Sequence, residues 1–420
     1  MKSPQAVLDD HSAATRRFFL RLAAGGSAGL AASRLFAENA LDHPAVLEAI
    51  AGLSYLTPDK EFRYVGRIQP KISEMSEEER AEAGLTRDTW KLEVFADPDP
   101  DSEARVRRPM RIEDDTAFTF QQLLELGKTK AVRYLKVMTC NNIADPLGMG
   151  LWEGVPLRDL IWKAGPDPKV RRVFYHGFHR EDPKWLFRSS LSINRVFEDP
   201  PGDQPVIVCY KLNGKWLSPD RGGPVRILVP DSYGFKSVKW LRQIQLTSKH
   251  TNNDTYAEKG NDVDSQMKSY ARILNWPKTA KAGEPIPLTG VAQSGGAGLT
   301  KVQFWLKPAE DEWPFEDRYF ETAPWQDAEI LPPPDGNWGD EIDSIQSIPH
   351  QIGEDGKPDK WPLRNSIVHY AALLPAVKTG EYEIRVRTID ENGVAQPMPR
   401  PFQKSGGNAI QALELKVVSS

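Results

Sequence analysis

The chain changes character near Asn275-Trp276-Pro277. Before that point, short helical and strand-like segments follow one another without a strand–helix–strand rhythm, the mark of an α+β domain rather than a doubly wound sheet. Beyond it come alternating apolar and polar runs bounded by Gly, Pro and Asp: Pro287–Val291, Lys301–Leu306, Glu381–Thr388 and Ala412–Val418. That pattern predicts an all-β sandwich. A chain of 420 residues is long for a single hydrophobic core. The expected division is a leader over 1–37, an α+β domain over 38–270 and a sandwich over 271–420.

The leader follows from Thr15-Arg16-Arg17-Phe18-Phe19-Leu20, a twin-arginine pattern. A mildly apolar run from Leu22 to Ala32 and a small residue at Ala37 complete an export signal, which places the mature protein in the periplasm. No later stretch approaches the ~20 apolar residues that span a bilayer, so no membrane span is expected. Loss of residues 1–37 would move the net charge from -4 to about -7. A mildly acidic protein has no electrostatic case for binding nucleic acid.

Within the α+β part, strands are expected at Trp90–Phe95, Ala131–Met138, Arg172–Tyr175, Pro205–Tyr210, Val225–Val229 and Gln243–Thr247. Helices fit Phe118–Leu126 and Leu157–Ala164, the second entered through a turn at Trp152-Glu-Gly-Val-Pro156. Residues 38–85 are poorly patterned, Ser76–Arg80 reads as a solvated helical turn, and Ala96–Pro109 as an exposed loop. Pro332–Lys360 is long for a loop, which suggests a functional or partner-binding insert. Cys140 and Cys209 are the two cysteines. Cys209 lies in a continuous apolar run and reads as a core residue. The residues alone leave Cys140 as a buried bystander, half of a disulfide, or a metal ligand.

The order of three motifs resembles the sulfite oxidase family: Tyr134–Leu160 around Cys140, Asp220-Arg-Gly-Gly-Pro-Val-Arg-Ile-Leu-Val-Pro230, and Tyr233–Leu241. The sandwich carries its own match in Leu288–Ala297 and Asp390–Pro397, similar to that family's immunoglobulin-like dimerisation domain. The resemblance implies a molybdenum–molybdopterin cofactor bound through a thiolate at Cys140, a soft donor suited to such a metal. It implies a pterin pocket built on Arg226, on Ser237-Val238-Lys239, and on Arg221 where the family has a histidine; His179 falls near a family aspartate. Arg and Lys suit a phosphate through charge-assisted hydrogen bonds. It also implies substrate roles for Arg67, as a guanidinium toward an anion, and for Tyr256, as a hydrogen-bond donor or proton relay.

The departures bear on the substrate. Where sulfite oxidases follow the cysteine with an arginine pair, this chain reads Asn141-Asn-Ile-Ala-Asp145, and Ile68-Gln69 stands where the family has Asn-His. An acid in place of a guanidinium makes sulfite an unexpected substrate. The pair His176/His179 reads as pocket-lining rather than as a separate metal site. Two cysteines cannot form a haem-attachment Cys-x-x-Cys-His, so electrons must pass to a separate carrier such as a c-type cytochrome. The resemblance thus implies an exported homodimeric oxidoreductase performing oxygen-atom transfer at an oxo-molybdenum centre. Two alternatives stay open: an S- or N-oxide reductase like the family's exported methionine sulfoxide reductase branch, and a non-catalytic partner subunit.

Overall fold

A computed structural model describes residues 40–51, 53–66, 71–143, 145–179, 187–251, 255–334, 338–339, 342, 344–397 and 406–419. The twin-arginine segment, Arg67 to Gln69 and Arg180 lie outside the described residues. In chain order the strands of the first part are β1 (Lys91–Ala96), β2 (Phe118–Thr119), β3 (Val132–Met138), β4 (Gly148–Pro156) and β5 (Arg172–Gly177). They continue with β6 (Arg188–Ser192), β7 (Ile207–Leu212), β8 (Lys215–Trp216), β9 (Arg226–Leu228) and β10 (Leu241–Thr247). The second part holds β11 (Tyr270–Asn275), β12 (Thr279–Lys281), β13 (Ile286–Gln293), β14 (Lys301–Pro308) and β15 (Gln326–Ile330). It ends with β16 (Ile367–Leu374), β17 (Gly380–Ile389) and β18 (Gln411–Val418).

Two sheets build the first part: the mixed sheet β2-β1-β10-β5-β6, with β1 parallel to β10, and the antiparallel sheet β3-β4-β7-β8, with β9 on β7. Helices Phe120–Lys130 and Leu157–Ala164 bury Leu123, Leu157, Leu160 and Ile161 against a core shared by both sheets. Thr119 caps the first of these helices, with its side chain on the Gln122 amide. This is the expected α+β architecture. The second part is the sandwich: β11-β13-β16 and β14-β17-β18-β12, joined through β15, close over Leu288, Phe304, Val368, Tyr370, Val386 and Leu415.

Two local expectations are corrected, and a third stretch has a packing that the sequence did not show. Trp152–Pro156 is not a turn but the end of β4, running straight into the helix at Leu157. Its backbone pairs with β3 on one side and β7 on the other, and Trp152 and Val155 are fully buried. The 96–109 stretch is not wholly exposed, because Ala104 is fully buried and Ser102 nearly so. The described residues of 332–360 pack inward as a strap. Trp338, Ile345, Ile348 and Ile352 join the core that holds β3 and β4. Gln351 donates its amide to Leu135 O at 2.8 Å and accepts Leu135 N–H at 2.8 Å. Asn365 O accepts Val137 N–H at 2.8 Å. β3 is the edge strand of its sheet, and these contacts take the place of the neighbour it lacks.

Candidate active site

β3 ends at Met138 and delivers Thr139 and Cys140 into a turn held on several sides. Gly234 N–H donates to Thr139 O at 2.6 Å, and Gly407 N–H to Asn141 O at 2.9 Å. The Asn141 side-chain amide donates to Asn261 Oδ1 at 2.9 Å. The Cys140 thiol is 7% exposed and lies 2.7 Å from Asn142 Oδ1. It faces a cavity whose lining is predominantly apolar, as is usual for a small-molecule or cofactor site. Cys209 is buried on β7, where burial pushes its thiol up to about 12; neither cysteine is in a disulfide.

Of the residues singled out in the sequence, Cys140, His179, Arg221, Arg226, Ser237, Val238, Lys239 and Tyr256 line this one cavity. Arg67 is outside the described residues. The cations are held in different ways. Arg226 is 3% exposed, its guanidinium 5.4 Å above the Trp152 ring. Its Nη1 donates to Arg221 O at 2.8 Å and its Nη2 to Ser237 O at 2.6 Å. Burial lowers it to about 10. Arg226 therefore cross-braces the wall of the cavity instead of standing as a surface charge. Ser237 Oγ accepts the Val229 amide at 3.0 Å, and Val238 packs into the core.

Lys239 is half-buried and donates to Val65 O at 3.0 Å and Asp220 O at 2.6 Å. Burial first, then the neighbouring Arg226 and Arg221, holds its ammonium well below the ordinary lysine value. The close approach of Lys239 requires glycine at 222: its φ is +97°, and a Cβ there would meet Lys239 Cβ at 2.9 Å. Arg221 is the least satisfied of the three. It is 7% exposed, its Nη1 reaches Arg63 O only at 3.5 Å, and its Nε lies 3.6 Å from Asp59 with no hydrogen bond among the described residues.

On the opposite wall, Tyr256 stacks on Phe235 at 4.4 Å and meets Phe187 edge-on at 5.6 Å. His179 Nε2 lies 2.7 Å from Phe187 O, which ties the ring to the chain beside Tyr256. Arg63, Phe62, Trp152 and Trp240 also line the cavity and were not singled out in the sequence. Arg63 lies four positions before Arg67, in Phe62-Arg-Tyr-Val-Gly-Arg-Ile68, and that nearness was the available signal.

Comparison with known proteins places this geometry. Residues 85–255 match the family described as the oxidoreductase molybdopterin binding domain. Mitochondrial sulfite oxidase of Drosophila melanogaster is 31% identical over 130 residues, which is 31% of this chain and 21% of that protein. Over residues 85–255 the chain carries a molybdopterin binding domain that is sulfite-oxidase-like. An NADPH nitrate reductase of Beauveria bassiana in the same group is 36% identical over 107 residues, 26% of this chain and 12% of its own length. The matched stretches thus span well under two thirds of these curated relatives. The crystal structure of the sulfane dehydrogenase SoxCD from Paracoccus pantotrophus shares the fold, with a TM-score of 0.54 at 17% identity over 79% of this chain and 77% of that one.

The cofactor of this sulfite-oxidase-like chain is molybdenum carried on molybdopterin. The residues present fit it. A nearly buried thiol opens on a largely apolar cavity, and Arg221 offers a buried Nε in want of an acceptor. After burial, Arg221 disfavours the charged form of Arg226, and Arg226 and Arg221 both disfavour that of Lys239, a repulsion that a bound phosphate would relieve.

Proposed function

We propose that this chain is an exported oxidoreductase that transfers an oxygen atom to or from a small substrate and exchanges electrons with a separate carrier such as a c-type cytochrome. The observation that carries the reading is the convergence of Cys140, Tyr256, Arg221 and Lys239 on one cavity. Cys140 would ligate the metal, while Arg221 and Lys239 would hold the pterin's phosphate end. When bound, the cofactor supplies two-electron oxygen-atom exchange. The protein's own part is to keep Cys140 rigid in the turn after β3, to exclude water with Phe62, Phe187, Phe235 and Trp240, and to present the Tyr256 hydroxyl. Arg226 holds the carbonyls of Arg221 and Ser237 in place and so fixes the wall from which Lys239 projects.

The twin-arginine motif supports export to the periplasm, and the sandwich is the part proposed to form a homodimer. Reduction of an S- or N-oxide is the second reading, favoured by the carboxylate of Asp145 in the loop after Cys140. The decisive experiment is metal and pterin analysis of protein made in a host that synthesises the cofactor. About one molybdenum per chain is expected, lost or strongly disturbed in Cys140→Ser. Metal-free protein from such a host would overturn the proposal.

A further inference from the structure

The Asp145 side chain is 61% exposed, yet it faces two guanidinium groups. Arg63 Nη1 lies 3.9 Å away, and Arg63 lines the cavity. Arg272 Nε lies 3.5 Å away and arrives from β11, in the sandwich. The two arginines differ in freedom. The Arg63 side chain is 55% exposed, whereas that of Arg272 is 10% exposed, with Nη1 donating to Ala409 O at 3.2 Å. Arg272 is further placed by Tyr270, whose ring lies 5.4 Å from its guanidinium and whose hydroxyl is 3.3 Å from Thr139 Oγ1. Thr139 is the residue before Cys140. The row Arg272, Asp145, Arg63 therefore runs from a fixed cation beside the Cys140 turn, through a carboxylate, to a movable cation of the cavity lining.

Two cations and one anion leave a single net positive charge. Without the carboxylate the same place would carry two, and Arg63 would be free to turn toward a ligand. We propose that Asp145 sets the charge of the substrate this cavity accepts: it engages Arg63 and offsets Arg272, so that the site takes a neutral or singly charged oxide in preference to a dianion. The inference rests on the cavity being the substrate and cofactor site, as proposed above. It differs from the expectation drawn from the sequence, in which Asp145 replaced a cation outright. Here the cations are present, on Arg63 and Arg272, and the carboxylate masks them.

Sulfate, an inert dianion, is the probe, titrated calorimetrically into molybdenum-loaded protein at low ionic strength. Asp145→Asn should tighten sulfate about tenfold, Asp145→Glu should stay within about twofold of the parent, and adding Arg63→Ala to Asp145→Asn should abolish the gain. An unchanged affinity in Asp145→Asn, or a gain that survives removal of Arg63, overturns the proposal. Should Asp145→Asn fail to fold, Asp145→Ser, on the same exposed side chain, decides. It should tighten sulfate at least about threefold, and no change refutes the role. Molybdenum content is measured first on the parent, so that loss of the cofactor reading is seen separately from loss of this one.

Discussion

Replacing Gln351 by leucine tests whether the 332–360 strap is part of the active-site framework. Its side-chain amide makes the paired hydrogen bonds, both 2.8 Å, with the N–H and C=O of Leu135. Leu135 is fully buried and Gln351 is 7% exposed. Leucine keeps most of the volume, so packing changes little, but both backbone groups lose their partner. At about 1–3 kcal/mol for each buried orphan, the substitution should cost about 2–6 kcal/mol locally. Opening of β3 should become easier by the same amount, so amide exchange across residues 132–138 should accelerate at least about 30-fold, since 1.4 kcal/mol is tenfold. Val137, bonded to Asn365 O, marks how far the disturbance spreads along the strand. Molybdenum retention should fall in parallel, because β3 leads directly into Cys140. Exchange within about threefold of the parent would refute the reasoning, because it would mean that these groups find other partners at little cost.

Arg226→Lys should not rescue Arg226→Met, since a single ammonium cannot span the carbonyls of Arg221 and Ser237; equal stability and metal content in the Lys variant and the parent would count against the bracing role. Burial, then Arg188 and His179, lowers His176 to about 4. Between pH ~6.5 and ~4 the unfolded chain therefore binds a proton that the folded chain refuses, and stability should fall through that window by on the order of 3 kcal/mol. His176→Gln should flatten this acid limb relative to the parent in denaturant titrations, and an unaltered limb would refute it. In metal-free folded protein, iodoacetamide should label Cys140 ahead of Cys209, whose thiol is raised to about 12; preferential labelling of Cys209, read by mass spectrometry, would contradict the structure.

Much of the fold was legible because it rests on local patterning. The helix expected at Leu157–Ala164 forms with those bounds, since Pro156 suits its entry and Gly165 closes it with a left-handed φ of 68°. The β-rich second part follows from runs of period two, and the strand into Cys140 from a short run rich in apolar and β-branched residues. β4 was missed because its glycines disguise a strand that draws its stability from pairing on both sides. β16 lacks the alternation of a half-buried strand, since it is buried along nearly its whole length.

The same division holds at the site. The resemblance in motif order singled out Cys140, Tyr256, Arg221 and Lys239, and a soft thiolate, a phenol and phosphate-binding cations are chemical properties that suit the roles it implies. Which carbonyls hold Arg226, that Gln351 stands in for a missing strand beside β3, and that Arg63 and Arg272 flank Asp145 were decided only by the tertiary structure. Those contacts join residues up to 216 positions apart, and hydrogen bonds and ion pairs depend on distance and direction in space, which a linear order of residues does not contain.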